Sequence, residues 1–345
     1  METILKSKYR IAEKIAENPF SLTYKGFFVG GEKSAAAGKP VIIKIYKRGT
    51  LSSPLIKSMR QKVRELALIN HHGLAKLYDG DYGWQGFYFV REYIEGESLK
   101  ELLAKGGGIG IERAAEVVEQ ALETLTVVHE KGIVHAALKP TNIFIDNQGL
   151  VRLTDFISEG EIKESIPQKV IDMIFNAKYA SPEELEGRPL KPAADVYSLG
   201  LVLYELATGR SLMNVQGVAA NLQKLREPSI INKAISDSLP KYAIEILAKA
   251  LQKDPLLRFR SAEEFRQSLL NRQVAPTGQR NEELAKLFEK VVTQFGGEEL
   301  AKVEEPPHEV GKLRWRKEKD RNWILAVIVG GAVLLGLLYA FLFGH

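Results

Sequence analysis

"HAALKPTNIFID", residues 135–146, is the stretch on which the reading of this chain turns. Within eight residues it gathers His135, Lys139 and Asn142 around two methyl groups, Ala136 and Ala137. An alanine can neither accept a proton nor orient a hydroxyl. Whether the stretch belongs to an enzyme or to something built on an enzyme's frame depends on what surrounds it.

The chain has 345 residues, 45% apolar and 26% charged, the mix of a folded globular protein with room for one two-lobed unit and some extras. Its net charge of +5 is small for the length, and acidic and basic residues interleave, so composition gives no case for nucleic acid. The absence of cysteine excludes disulfides, thiolate zinc sites and cysteine nucleophiles. The N-terminal "METILKSKYR" lacks the apolar core of a signal peptide.

From Tyr9 to about Gly80 short β-branched and aromatic runs dominate, among them "PVIIKIYK" (40–47), with helical spacing only between Leu55 and Ile69. After Ser98 the texture changes. Glu112–Lys131, Asp195–Thr208 and Leu239–Gln252 repeat apolar residues at helical intervals, and "KGGGIG" (105–110) reads as a loop between helices. The pattern is a small sheet with one helix, then a mainly helical body.

The C-terminal end is of another kind. "WILAVIVGGAVLLGLLYAFLF" (323–343) holds 21 residues without a charge. As a helix it spans roughly 31 Å, which matches a hydrocarbon core of about 30 Å. "KLRWRKEKDR" (312–321) places six basic residues just before it, which predicts a single-pass tail anchor with the preceding domain in the cytoplasm. Ala332, Gly336 and Ala340 recur on one face of that helix and predict self-association, against the plainer reading of a simple anchor. Residues 271–321 read as a linker, with an amphipathic helix over 281–295.

The order of several motifs resembles the serine/threonine protein kinase family in its bacterial form. They are "VIIK" (41–44), "REYIEGESL" (91–99), "HAALKPTN" (135–142), "DFI" (155–157), "YASPEEL" (179–185), "DVYSLGLVLYELATG" (195–209) and "DPLLRFRSAEEF" (254–265). The resemblance implies an α+β, two-lobed protein kinase-like fold over 9–270, with a β-rich N-lobe and a larger helical C-lobe. A transmembrane helix over 322–343 follows.

Phosphoryl transfer needs a positioned nucleotide, neutralised charge and a group that orients the incoming hydroxyl. By resemblance, Lys44 and Lys139 face the nucleotide, and Asn142 and Asp155 match the two magnesium ligands; the alternative for these two is a capping and hydrogen-bonding role. The glutamate that orients the strand lysine is replaced by Lys62, and Glu65, one turn on, is a poor substitute. The glycine-rich loop maps onto "AENPFS" (16–21), where Ala16, Asn18 and Ser21 replace all three glycines. The catalytic base position is Ala137, so no residue fills the catalytic role, and the preceding arginine is Ala136. Ile157 replaces the glycine after "DF", Phe175 and Asn176 replace the "GT" before "YASPE", and no threonine lies between Asp155 and Glu183. Arg91 stands at the back of the nucleotide cleft and is expected to obstruct it. Glu183 is expected to pair with Arg258, and Asp195 to tie the 135–142 loop to its helix.

The expectation is therefore a membrane-anchored pseudokinase, a signalling scaffold or regulator that works through protein partners and weak, magnesium-assisted ATP binding. The alternative is a slow or atypical ATP-dependent serine/threonine kinase. A third reading is a nucleotide sensor, in which ATP shifts lobe closure and so partner affinity.

Overall fold

A computed structural model of the chain describes residues 4–29, 37–156, 178–213 and 239–274. The N-terminal part is an antiparallel sheet in the order β1-β2-β3-β4-β6-β5. Its strands are β1 (Ile4–Leu5), β2 (Tyr9–Glu17), β3 (Ser21–Phe28), β4 (Pro40–Lys47), β5 (Leu77–Gly83) and β6 (Gly86–Glu92). The two central strands, β4 and β6, are buried along almost their whole length, which is why both read as near-continuous apolar runs.

Alternation along these strands sets the faces. Val41, Ile43 and Ile45 join Tyr88 and Val90 in a small cluster with Leu5 and Tyr9, while Tyr46, Phe87 and Phe89 join the main core. Lys44 lies between Ile43 and Ile45, so the period of two puts it on the face of Tyr46. Arg91 follows Phe87 and Phe89 onto the same face. The register pairs Lys44 with Phe89 and Ile42 with Arg91, making Lys44 and Arg91 diagonal neighbours on adjacent strands.

Helix α1 (Ser53–Ala67) buries Met59, Val63 and Leu66. It lies so close to β5 that a Cβ at Gly80 would stand 2.9 Å from Val63, and glycine is what permits the approach. A second sheet of three short strands, β7 (Gly96–Ser98), β8 (Ile143–Asp146) and β9 (Val151–Leu153), follows, outside the sheet-then-helices expectation. Helix α2 (Leu99–Gly106) starts at a capping box in which Ser98 and Glu101 satisfy each other's backbone N–H groups.

Among the described residues the helical body contains α3 (Ile111–Glu130), α4 (Pro182–Leu185), α5 (Pro192–Thr208), α6 (Lys241–Ala250) and α7 (Ala262–Leu270). Ala114, Val117, Val118, Ala121, Leu122, Leu125 and Val128 form the buried stripe of α3, which packs on α5 and α7. α5 is buried on nearly every face, as expected of a helix apolar all round, and Gly209 in the left-handed region (φ 70°) ends it. Of the segments expected to be helical, Leu55–Ile69, Glu112–Lys131, Asp195–Thr208 and Leu239–Gln252 are largely helical here. "KGGGIG" differs slightly: Lys105 and Gly106 close α2 and the loop starts at Gly107.

Among the described residues no helix is long and apolar enough to cross a membrane. The expected membrane span, the linker helix over 281–295, and residues 157–177 with Ile157, Phe175 and Asn176 lie outside the described residues.

Candidate functional site

Asp195, in the first turn of α5 and 1% exposed, accepts the backbone N–H of His135 at 2.8 Å and of Ala136 at 2.9 Å. His129 Nε2 stands 2.8 Å from the same carboxylate. Burial pushes this carboxyl up, yet the hydrogen bond and charge of His129 and the contacts of His135 outweigh it and hold it low. The 135–142 loop is thus gripped by a buried anion, as its sequence predicts. Ala136 sits at φ 58°, a region an alanine enters at a cost of order 1 kcal/mol or more. The loop keeps a demanding backbone shape although its side chains at 136 and 137 are methyl groups.

Beyond the methyl of Ala137 the loop is closed by its own bonds. Asn142 Nδ2 donates to the Ala137 carbonyl at 2.8 Å, and the Asn142 carbonyl accepts from Thr154 N at 2.9 Å. His135 is fully buried, its ring 4.1 Å from that of Phe156, and neither ring nitrogen finds a hydrogen-bond partner among the described residues. Burial therefore drops its pKa to about 4.

Asp155 meets Arg91 across the cleft, with Nε donating to Oδ1 at 3.1 Å. Arg91 also donates from Nη1 to the Glu92 carbonyl at 3.0 Å, so the guanidinium is held between its own strand and the carboxylate. Burial raises the Asp155 pKa, but the charges of Arg91, Lys44 and Lys139, with the Arg91 hydrogen bond, hold it at about 2. Lys44 is buried (8% exposed) and lies over the Tyr46 ring at 5.5 Å. Lys44 and Lys139 thus both act on Asp155, while Asn142 turns its amide NH2 to the Ala137 carbonyl. Arg91, expected only as an obstruction, is the ion-pair partner of Asp155.

Lys62 occupies the inner side of α1, as its alignment implies, and donates to the Val134 carbonyl at 3.1 Å. Glu65 is exposed and receives a bond from Gln61 at 2.8 Å, so it does not reach Lys44. At the turn between β2 and β3, Asn18 Oδ1 accepts the backbone N–H of Phe20 at 2.9 Å and of Ser21 at 2.7 Å. It also accepts the Ser21 hydroxyl at 3.1 Å. The backbone donors that a glycine-rich loop offers to phosphate are spent within the loop. The sequence shows that the glycines are gone. That the asparagine replaces the ligand is legible only in its turn chemistry, Asn-Pro-x-Ser, where an Asx turn is favoured.

The donor chemistry of Asn142 and Asp155, an amide oxygen and a carboxylate, suits magnesium. The carboxylate already carries a guanidinium, so a metal ion would have to share or displace it. A separate grouping of His71, His72 and Glu123 brings metal-ligating atoms within 4.8 Å of one another. His71 Nδ1 there accepts the Gly73 N–H at 3.1 Å, which puts the proton of the neutral ring on Nε2 and removes the lone pair that faces Glu123.

Outside the cleft, Arg258 holds Glu183 through two bonds of 2.7 and 2.8 Å, the pair expected from the motif spacing. With two lobes around a lysine, asparagine and aspartate cleft, the arrangement is that of a protein kinase. Residues 28–270 match the protein kinase domain, and the chain belongs to that family. Its relatives include the serine/threonine-protein kinase PknA of Mycobacterium tuberculosis, 30% identical over 76% of this chain and 60% of that protein. PrkC of Bacillus subtilis is 27% identical over 82% of this chain and 45% of its own length. The chain thus spans 60% or less of these curated relatives. The crystal structure of Rad53 residues 1–466 in complex with AMP-PNP has the same fold (TM-score 0.61, 22% identity, 75% of this chain and 64% of that one).

Proposed function

We propose that this chain is a pseudokinase, a kinase-fold scaffold or regulator that binds protein partners and, weakly, ATP without transferring phosphate. One observation carries the reading. Asp195 fixes the backbone of His135 and Ala136 in a strained loop whose tip, Ala137, bears a methyl group where a proton acceptor is needed. A positioned base contributes about 10²–10⁴-fold, and nothing described beside Ala137 supplies one. The asparagine-plugged turn and the Arg91–Asp155 pair support the same reading. The apolar segment 323–343 and the six basic residues before it support a cytoplasmic domain anchored in the membrane, where Gly336 and its small neighbours would favour a dimer.

A slow kinase is the second reading, favoured by the presence of Lys44 and Lys139 beside Asp155, with Asn142 retained in the loop. Labelled ATP with magnesium and a generic basic protein substrate separates the two. The full chain in detergent should transfer no more label than an Asp155→Ala control. Turnover within a few-fold of an active relative, abolished by that substitution, would establish the enzyme instead.

A further inference from the structure

We infer that Arg91 is the resident cation of this cleft: its guanidinium, fixed on Asp155, replaces a diffusible divalent ion, so that the site takes a nucleoside triphosphate free of magnesium. This rests on the nucleotide-binding part of the reading above and goes beyond it by naming the form of the ligand.

Position comes first. Arg91 is 7% exposed, on a central strand, and its Nε lies 3.1 Å from Asp155 Oδ1. Its Nη1 bond to the Glu92 carbonyl holds the head against its own strand, so the charge is preorganised rather than recruited. Magnesium demands near-octahedral oxygen ligands and dehydrates reluctantly. To use Asp155 it must compete with a guanidinium that is already desolvated and bonded there.

Charge balance points the same way. Lys44, Arg91 and Lys139 all act on Asp155, and Lys62 acts on His135 from α1. Among the described residues three cations thus act on the Asp155 carboxylate, and Glu65 is turned to solvent. In a partly desolvated cleft each such charge attracts more strongly than in water. The more highly charged, unchelated triphosphate gains more from the cations beside Asp155 than its magnesium complex does. Arg91 also retains donors beyond the two it uses, and a guanidinium presents them in a fork that matches phosphate oxygens. Side-chain cations here take over a task that the Phe20 and Ser21 N–H groups, bonded to Asn18, no longer perform.

The experiment is a calorimetric titration of ATP into the full chain in detergent, once in EDTA and once in excess magnesium. The wild-type protein should bind ATP in EDTA at least as tightly as with magnesium. Arg91→Met should weaken binding in EDTA about tenfold and make magnesium restore it, while Lys44→Met should weaken both conditions. Circular dichroism melting reports whether each variant is folded, and the wild-type comparison stands without them. A wild-type affinity that rises about tenfold with magnesium overturns the inference, as does an Arg91→Met affinity unchanged in EDTA. ATP binding in neither condition overturns it together with the nucleotide reading, and leaves the silent scaffold standing. Magnesium-dependent transfer to substrate would overturn the scaffold itself.

Discussion

Arg258 and Arg91 each hold a carboxylate brought from a distant part of the chain. Arg258 spends all five N–H groups, two on Glu183 and three on the carbonyls of Gln252, Ala193 and Lys253. Its side chain is 0% exposed and that of Glu183 is 4% exposed. Arg91 engages Asp155 through one N–H, and the two side chains are 8% and 20% exposed at the wall of a cleft. The first pair has no donor left for anything else and serves the fold. The second keeps donors and is partly exposed. Identical chemistry yields a structural rivet in one place and a site charge in the other, and the difference lies in how many donors are left over.

The largest effect should come from breaking the rivet. Arg258→Leu leaves Glu183 buried without its partner, which typically costs about 3–5 kcal/mol. Arg91→Met leaves Asp155 with Lys44 and Lys139 nearby, so its cost should be less than half of that. Urea unfolding of the two variants checks the contrast. Equal losses would mean that Arg91 is as structural as Arg258, and the distinction between them would fall.

The cleft should also show itself in acid. His135 is buried neutral with its pKa at about 4, below an ordinary histidine. The unfolded chain therefore takes that proton first, and stability is present above about pH 6.5 and lost on the way down to 4. The loss is on the order of 3 kcal/mol. Asp155, held at about 2, adds a second loss on the order of 2 kcal/mol, present above about pH 4 and gone as the pH passes 2. Unfolding at stepped pH should show both windows. His135→Phe should flatten the upper one and Arg91→Met should shrink the lower one. A lower window untouched by Arg91→Met would mean that Lys44 and Lys139 alone hold the carboxylate.

What the sequence discloses and what it hides follow from distance and length. The Glu183–Arg258 pair and the grip of Asp195 on the 135–142 loop were readable, because a motif fixes both residues and their roles together. Helices α1, α3, α5 and α6 were readable because each repeats its apolar stripe over several turns. The β7-β8-β9 sheet was not, since strands of three or four residues are too short for alternation to stand out. The Arg91–Asp155 bond joins residues 64 apart on separate elements, and only the strand register that sets Arg91 beside Lys44 exposes it. Arg91 looked like a stopper in the sequence. In the structure it is a counter-ion.

The smallest effect, and the one that sharpens the contrast most, concerns Asn18. Its Oδ1 holds the N–H groups of Phe20 and Ser21, so Asn18→Gly gives up bonds worth about 1 kcal/mol net in a partly exposed turn. The domain should stay folded with a melting temperature lower by only a few degrees. In return two backbone donors become available beside the cleft, and glycine lets the chain approach a phosphate closely. ATP affinity in EDTA should rise about threefold to tenfold, with no transfer of phosphate, because Ala137 still lacks a proton acceptor. A combined Asn18→Gly and Arg91→Met variant then asks which element governs the ligand. If magnesium becomes favourable only when Arg91 is replaced, the side-chain cation decides the form of nucleotide bound and the turn decides only its strength. If Asn18→Gly alone restores a magnesium preference, the turn governs and Arg91 is a bystander.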